Sequence, residues 1–372
     1  MIKKPFKSKK KNGLRMKIMS IFGTRPEIIR MSRIFELLDN NFDHVMVNTS
    51  QNFTHELNTV FFDEMKIRKP DYDMRVNTEA YGKEVADVII KAEKLLKKEK
   101  PDILLILGDT NSGLSAIPAA YQGIKIAHLE AGMRSYDPRM PEEKNRVMID
   151  HLSTVLLPYT QYSRENLIRE NIHPSKIYVV GNPIIEVIQH YLPKIEKSRI
   201  LESLKLKKND YFLVTAHRAE NVDNKTSLKN IFFGLEKISK TFRKKIIYPI
   251  HPRTMSKIKN IEIPKGIKLI NPLGFFDFSK LEKNSFCLIT DSGTIPEEAL
   301  FFQKPCVTIR TTTERPEIIE AGSNILSGLS PDNILQSTQT ITSKKPDWQW
   351  NKALGDGKTA RKVLNILGGN LY

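Results

Sequence analysis

From Lys17 onward, short apolar runs alternate with amphipathic stretches, and this rhythm constrains the fold more than any other feature of the chain. Such alternation specifies a parallel sheet covered by helices. Lys17–Phe22 reads as the first strand, and Pro26 then opens a helix with Ile28, Ile29, Ile34, Leu37 and Leu38 on its inner side. The strand signal recurs at His44–Thr49, Asp102–Leu107, Ile124–Leu129, Thr154–Leu157 and Ile177–Val180, with helical patterns at Lys83–Lys98 and Ser112–Tyr121. A lysine-rich stretch from Pro193 to Asn209 breaks the rhythm and marks the expected hinge. The βα pattern restarts at Tyr211–Thr215 and continues through Ile246–Ile250, Ile267–Leu269, Phe286–Thr290 and Pro305–Ile309. The expectation is an α/β protein of two Rossmann-like, doubly wound domains, residues 16–190 and 191–355, facing a cleft. A last helix at Thr359–Leu367, within a segment of about 356–372, is expected to cross back to the first domain.

The 372 residues suffice for two cores. Hydrophobic residues at 40% and charged residues at 27% exclude a disordered or fibrous chain. No apolar run is long enough to span a bilayer, and the basic N-terminus lacks the apolar core of a secretory signal, so a cytoplasmic protein without a membrane partner is expected. The net charge of +17 raises a nucleic-acid reading, but Lys3, Lys4, Lys7, Lys9, Lys10, Lys11 and Arg15 crowd the first fifteen residues, which carry no acid. Residues 1–15 therefore read as a disordered basic tail, and no nucleic-acid partner is expected. Cys287 and Cys306 lie in apolar strands and read as reduced, structural thiols. The eight histidines are scattered without metal-ligand spacing, so no metal site is expected.

In open α/β sheets ligands bind beyond the carboxyl ends of strands, so the residues directly after the strands are the candidates. Asp291-Ser292-Gly293-Thr294 precedes a helix start with Glu297 and Glu298, where amides and a hydroxyl could hold a diphosphate. Glu298 suits ribose hydroxyls; as an isolated motif the stretch reads equally well as a helix cap. Neither GxGxxG nor GxxxxGK[ST] follows a strand, and no GxSxG is present, so dinucleotide, P-loop and serine-hydrolase readings lose their support. Arg25 ends the first strand and Arg315 lies in Thr313-Glu314-Arg315-Pro316; a planar, permanently charged guanidinium at either place could clamp a phosphate. Asp109, Glu130 and Glu142 in the first half, with His217 in the second, form a set suited to removing and returning a proton beside an anionic leaving group.

Nine stretches in order, FGTRPE (Phe22–Glu27), GDTNS (Gly108–Ser112), HLEAGMRS (His128–Ser135), MPEEKNR (Met140–Arg146), GNP (Gly181–Pro183), TAHRAEN (Thr215–Asn221), HPRT (His251–Thr254), DSGTIPEEA (Asp291–Ala299) and TTERPE (Thr312–Glu317), resemble the non-hydrolysing UDP-N-acetylglucosamine 2-epimerase family. The resemblance runs from Met16 nearly to the end of the chain. It implies a GT-B-like fold, usually a homodimer, acting without a cofactor on a UDP-sugar, in the supply of surface polysaccharide precursors. In that family UDP is eliminated to leave a bound 2-acetamidoglucal and re-adds after the C2 proton has been replaced on the other face. By motif, Asp109, Glu130 and Glu142 would share the acid and base roles with His217 beside the diphosphate. Arg25, Ser292, Gly293, Thr294, Glu298 and Arg315 would bind the nucleotide, His251 stands in the matching HPRT stretch, and Phe278 falls near the expected uracil pocket.

Three departures from the pattern stand out. The family's usual lysine after GTRPE is Arg30, which keeps the charge in another shape. Gln51 is retained, but the glutamine three residues on that serves the allosteric nucleotide site of regulated members is replaced by Thr54, and Asn77-Thr78 stands where a basic residue is usual. Activation by UDP-N-acetylglucosamine is therefore expected to be weak or absent. The stretches GTRPEIIR, SQNFTHELN and YDPRMPEEKNRVMIDH also resemble the branch that inverts C2 of UDP-2-acetamido-2,6-dideoxy-hexoses, talo to fuco. A GT-B glycosyltransferase, which would share the fold and the nucleotide site, and a hydrolysing epimerase, which would release free N-acetylmannosamine and UDP, are the remaining enzymatic alternatives.

Overall fold

The computed structural model describes residues 15–50, 59–258 and 261–369. The basic tail up to Leu14 and Gln51 lie outside the described residues. The chain divides into two compact units, one taking the described residues up to Gln189 together with those from Lys352 on, the other His190–Asn351.

The first unit is built on six parallel strands, β1 (Lys17–Phe22), β2 (Asp43–Asn48), β3 (Tyr72–Asp73), β4 (Ile103–Leu107), β5 (Lys125–Leu129) and β6 (Val155–Leu157), in the order β3-β2-β1-β4-β5-β6. The second repeats the plan with β7 (Tyr211–Thr215), β8 (Lys245–Pro249), β9 (Ile267–Ile270), β10 (Cys287–Thr290), β11 (Cys306–Thr308) and β12 (Asn324–Leu326), in the order β12-β11-β10-β7-β8-β9. In each sheet the first strand is central and the winding reverses beside it, between β1 and β4 and between β7 and β10. A crevice opens at such a reversal, because the flanking connections leave in opposite directions.

The helices that place the site are α1 (Arg25–Asn41), α2 (Tyr81–Glu99), α3 (Ala116–Tyr121), α4 (Pro141–Leu152), α5 (Pro183–Lys197), α6 (Phe275–Asn284), α7 (Ile295–Phe301) and α8 (Thr359–Leu367). In the first unit Leu104, Ile106 and Ile126 of the sheet bury against Val88, Ala92 and Leu96 of α2 and Ile149 of α4. Each of these side chains except Ala92 contributes about 1.5–3 kcal/mol through removal from water. In the second unit Val214, Ile289 and Val307 fill one face of the sheet and Leu213, Leu288 and Cys306 the other. Cys306 stands in register with Leu288, whereas Cys287 packs with Ile289 on the opposite face. The sheet thus separates the two free thiols, and burial pushes both far above the ordinary range.

Several local expectations are corrected. Ile177–Val180 forms only a single bridge, Leu156 to Ile177: Tyr178 N donates to Leu156 O (2.9 Å) and Val180 N to Pro158 O (3.0 Å), but Pro158 has no N–H to return and the ladder stops there. The Ser112–Tyr121 helix begins as a 3₁₀ turn over Asn111–Ser115 before α3. Pro193–Asn209 is not a break: α5 continues through Pro193 to Lys197 and a short helix covers Ile200–Leu204. Ile200, Leu201, Leu204 and Leu206 pack beneath the second core, so the lysines are only the solvent side of a packed segment. The chain's last helix, α8, packs on α1. Thr359 Oγ1 donates to the carbonyls of Val180 and Gly181 at 3.3 and 3.2 Å, and Asn182 N donates to Leu354 O at 2.9 Å. No helix among the described residues is long and apolar enough to cross a membrane.

Candidate active site

Each unit gathers its polar residues at its own reversal point. In the first, Glu27 reaches back from the first turn of α1 and its Oε2 accepts from Gly23 N (3.1 Å), Thr24 N (2.7 Å) and Thr24 Oγ1 (2.7 Å). This is the carboxylate half of a capping box, signalled in the sequence by Thr24-x-x-Glu27. Its Oε1 accepts from Ser112 Oγ at 2.5 Å, tying the loop after β1 to the loop after β4. Arg25 is left half-buried at the mouth of this loop, its guanidinium 5.9 Å from the centre of the Phe61 ring.

Burial raises the proton affinity of Glu27, partly offset by the donors from Ser112, Thr24 and Gly23. A carboxyl raised in the folded state keeps its proton at pH values where the unfolded chain has lost it, so its contribution is present at low pH and lost as pH rises through the folded value. Glu27→Gln retains an acceptor for the three donors on Oε2 and offers an amide to Ser112. As pH is raised from about 4 to about 7, unfolding free energies should shift progressively in favour of the variant. Urea titrations across that range check this, and a difference flat with pH would contradict it.

Asp109 follows β4 and takes a charged hydrogen bond from Arg146 Nη2 on α4. Asn145 Nδ2 donates to the Asp109 carbonyl at 3.0 Å. The guanidinium of Arg146, 1% exposed, also donates from Nη1 to Glu143 Oε2 (2.7 Å) and Met133 O (3.2 Å). Glu143 accepts in turn from Ser135 N, Ser135 Oγ and Tyr136 N, each at 3.0 Å. Of the adjacent glutamates, Glu143 therefore fixes the loop, while Glu142 is half-buried on the first turn of α4. Burial first, then the charges of Glu142 and Glu84, raise the proton affinity of the Tyr81 phenol.

Glu130 follows β5 in the left-handed backbone region, at φ 73°. Its Oε2 accepts from Arg30 Nη1 at 2.5 Å, and the Arg30 guanidinium lies 5.8 Å from the Tyr159 ring centre. The structure thus brings Arg30, expected at a ligand, to a carboxylate in the interior. Beneath both loops His128 meets Asp150 Oδ1 through Nδ1 (2.7 Å) and Gly108 O through Nε2 (2.8 Å). Asp150 Oδ2 accepts from Gly132 N (3.2 Å) and pairs with Arg134 Nη2 (2.7 Å). Burial alone would raise the Asp150 carboxyl; His128 and Arg134 outweigh it and hold it below the usual range.

In the second unit Asp291, at the end of β10, is fully buried and its Oδ2 accepts from His217 N (2.9 Å), Arg218 N (2.9 Å) and Asn221 Nδ2 (3.2 Å). His217 therefore stands at the end of β7 across the reversal from Asp291, with the His251 ring 5.7 Å away. Tyr248 Oη (2.6 Å) and Thr254 Oγ1 (2.8 Å) both donate to Ala216 O and fix the backbone before His217. Ser292 Oγ and Thr294 Oγ1 are 3.1 Å apart in the following turn. Gly293 is required by close approach, since a Cβ there would lie 2.5 Å from Glu314 Oε1.

Arg315 is buried and engaged: Nε donates to Glu297 Oε1 (2.6 Å) and Nη1 lies 3.2 Å from Glu314 Oε1. Arg310 (2.9 Å) and Arg218 (3.4 Å) also meet Glu314, so three arginines converge on one buried carboxylate. Glu298 is buried on α7. Phe278 on α6 is 6% exposed and packs with Tyr211, Leu281 and Ile295, which makes it a core side chain. Sequence reasoning did not find Arg146, Glu143, Asp150 or Glu314, whose charges carry no sign of burial in the chain itself.

The UDP-N-acetylglucosamine 2-epimerase family profile matches residues 36–368. The chain belongs to this family. A UDP-N-acetylglucosamine 2-epimerase of Methanococcus maripaludis is 42% identical over 364 residues, covering 95% of this chain and 98% of its own. A crystal structure of the Methanocaldococcus jannaschii UDP-GlcNAc 2-epimerase in complex with UDP-GlcNAc and UDP is 40% identical, with a TM-score of 0.90 over 95% of this chain and 99% of that one. The glycosyltransferase SnogD of Streptomyces nogalater, 12% identical at a TM-score of 0.53, covering 95% of this chain and 100% of its own, shares the fold alone. Membership makes the chain an epimerase with a GT-B-like architecture, and four of the matching stretches, FGTRPE, GDTNS, TAHRAEN and DSGTIPEEA, follow the strands that flank the two reversal points.

Proposed function

We propose that this epimerase interconverts UDP-N-acetylglucosamine and UDP-N-acetylmannosamine without hydrolysis, as a step toward surface polysaccharide precursors. What supports the reading is that Asp109 and Glu130 directly follow the neighbouring strands β4 and β5 and are each bound to a buried arginine, with Glu142 on the first turn of α4, in a family member 40% identical to an enzyme crystallised with UDP-GlcNAc. C2 of the sugar is not acidic by itself, so loss of its proton must accompany departure of the diphosphate. A carboxylate takes the C2 proton, the C–H electrons form the C1–C2 double bond, and the C1–oxygen bond breaks to release UDP. Return of a proton from a second carboxyl to the other face of C2, with re-addition of UDP at C1, completes the inversion. His217, Arg25, Ser292 and Glu298 are assigned to the nucleotide, whose negative charge must be stabilised as it leaves.

Incubation with UDP-N-acetylglucosamine in deuterium oxide should give the epimer carrying one deuterium at C2, read by mass and proton spectra. Release of free N-acetylmannosamine, or loss of sugar only when an acceptor is added, would overturn the reading. Exchange confined to the 6-deoxy analogue would move the substrate to that branch. Glu142→Gln should abolish exchange while UDP still binds. We further propose a homodimer through α2, α3 and α4, neighbouring helices that leave Ile90, Tyr121 and Met148 exposed. Sedimentation of the same preparation should report two chains, and a monomer would refute this.

A further inference from the structure

Asp291 has two carboxylate oxygens in different situations. Oδ2 is saturated by three N–H donors, whereas Oδ1, buried, accepts no hydrogen bond among the described residues. The atom it faces is His217 Nδ1, at 3.5 Å. That separation is slightly longer than a hydrogen bond, and such contacts in unliganded sites tighten when substrate binds. The imidazole is 40% exposed, whereas the Asp291 carboxylate it faces is fully buried. His251 is the other ionisable ring against it, and Arg218 and Glu220 flank it on its own loop.

We propose that Asp291 is a positioning residue for His217, holding the imidazole with a proton on Nδ1 so that Nε2 is the atom that exchanges a proton with the diphosphate. This rests on the assignment of His217 to the nucleotide made above. The reason is the logic of a buried carboxylate behind an imidazole: an acceptor on one side fixes the tautomer and stabilises the imidazolium. When the Nε2–H bond breaks, its proton passes to a diphosphate oxygen, and the ring is left neutral with Nδ1–H still facing Asp291. Re-addition of UDP runs the same transfer backwards.

Asp291→Asn is the discriminating variant, because the amide oxygen can accept all three donors on Oδ2 while its NH₂ faces Nδ1. Nδ1 then becomes an acceptor and Nε2 keeps the sole ring proton, which it cannot give up without forming an imidazolate. In full-length protein labelled with ¹⁵N-histidine, His217→Asn identifies the His217 signals. Neutral His217 should be protonated at Nδ1 in the wild type and at Nε2 in Asp291→Asn. Turnover of the variant should fall roughly a hundredfold or more, with UDP affinity little changed. In a His217→Asn background the same substitution should cost no further turnover. A wild-type ring protonated at Nε2, an unchanged tautomer in the variant, or an equal loss in both backgrounds would overturn the proposal. A switched tautomer with undiminished turnover would instead uphold the positioning and refute the role given to His217 in the reaction.

Discussion

Arg146→Met is expected to lower the unfolding free energy by about 3–5 kcal/mol and to reduce turnover roughly a hundredfold or more. Methionine replaces the aliphatic stem of the arginine but leaves Asp109 and the buried Glu143 without their shared cation, and Met133 O with Arg134 as its one remaining side-chain donor among the described residues. Removing one partner of a buried ion pair is costly because the other charge stays out of water, and here two carboxylates are stranded by one change. The turnover loss follows separately. Asp109 is placed by this guanidinium, and Glu142 rides on the same helix, so both proposed proton carriers lose their mutual alignment. Denaturant titration and steady-state rates measure the two effects. Asp109→Asn added to Arg146→Met should restore part of the stability and none of the activity, and Arg146→Lys should recover more stability than turnover. Unchanged stability in Arg146→Met would show that the network contributes nothing to the fold.

What the sequence made legible and what it did not separate along one physical line. Strand ends were readable because parallel strands buried on both faces are continuous apolar runs, and the polar residue that ends each run marks the reversal point. β3, of two residues, is too short to show such a run, and β12, an edge strand that begins on Asn324 and is only partly buried, lacks one. The polar scaffold was hidden for the opposite reason. α4 buries Glu143, Asn145, Arg146 and Asp150, so its inward face is charged and the usual pattern of apolar inside and polar outside is inverted. Arg30 and Arg315 were recognised as charged residues near the site, but a sequence does not say that the fold supplies each with a carboxylate of its own. GNP was visible only as a matching motif; in the fold Gly181, at φ +86°, seats the segment around Gly355, whose Cα would lie 2.9 Å from an added Cβ.

The two units solve one problem in parallel ways. Each must hold a loop on either side of its reversal point at fixed spacing, and each uses a buried acid across the gap: Glu27 binds Ser112 in the first, and Asp291 binds the His217 and Arg218 amides in the second. A buried acid that accepts several N–H and O–H donors fixes backbone position more sharply than apolar contact does, because each hydrogen bond is directional.

The loop that carries Glu130 gives the second large effect, Gly132→Ala, expected to cost about 3 kcal/mol or more. Gly132 sits at φ +76°, where a side chain alone costs about 1–2 kcal/mol. An added Cβ would also lie 2.2 Å from Ser163 O and 2.7 Å from Leu167 Cγ, so the helix Gln161–Arg169 has to move. That helix cannot withdraw freely, because Asn166 Nδ2 donates to Gly132 O at 3.0 Å and Leu167 is buried in a small core with Ala131 and Leu156. Gly123 provides the control: it has a similar φ of +69°, yet nothing lies within 4 Å of its added Cβ. Gly123→Ala should therefore show the conformational cost alone, about 1–2 kcal/mol, without loss of turnover. Gly132→Ala should show that cost plus the overlap, and should slow turnover because Glu130 is two residues away and its pairing with Arg30 depends on the path of this loop. Equal destabilisation of the two variants by urea titration would refute the steric argument.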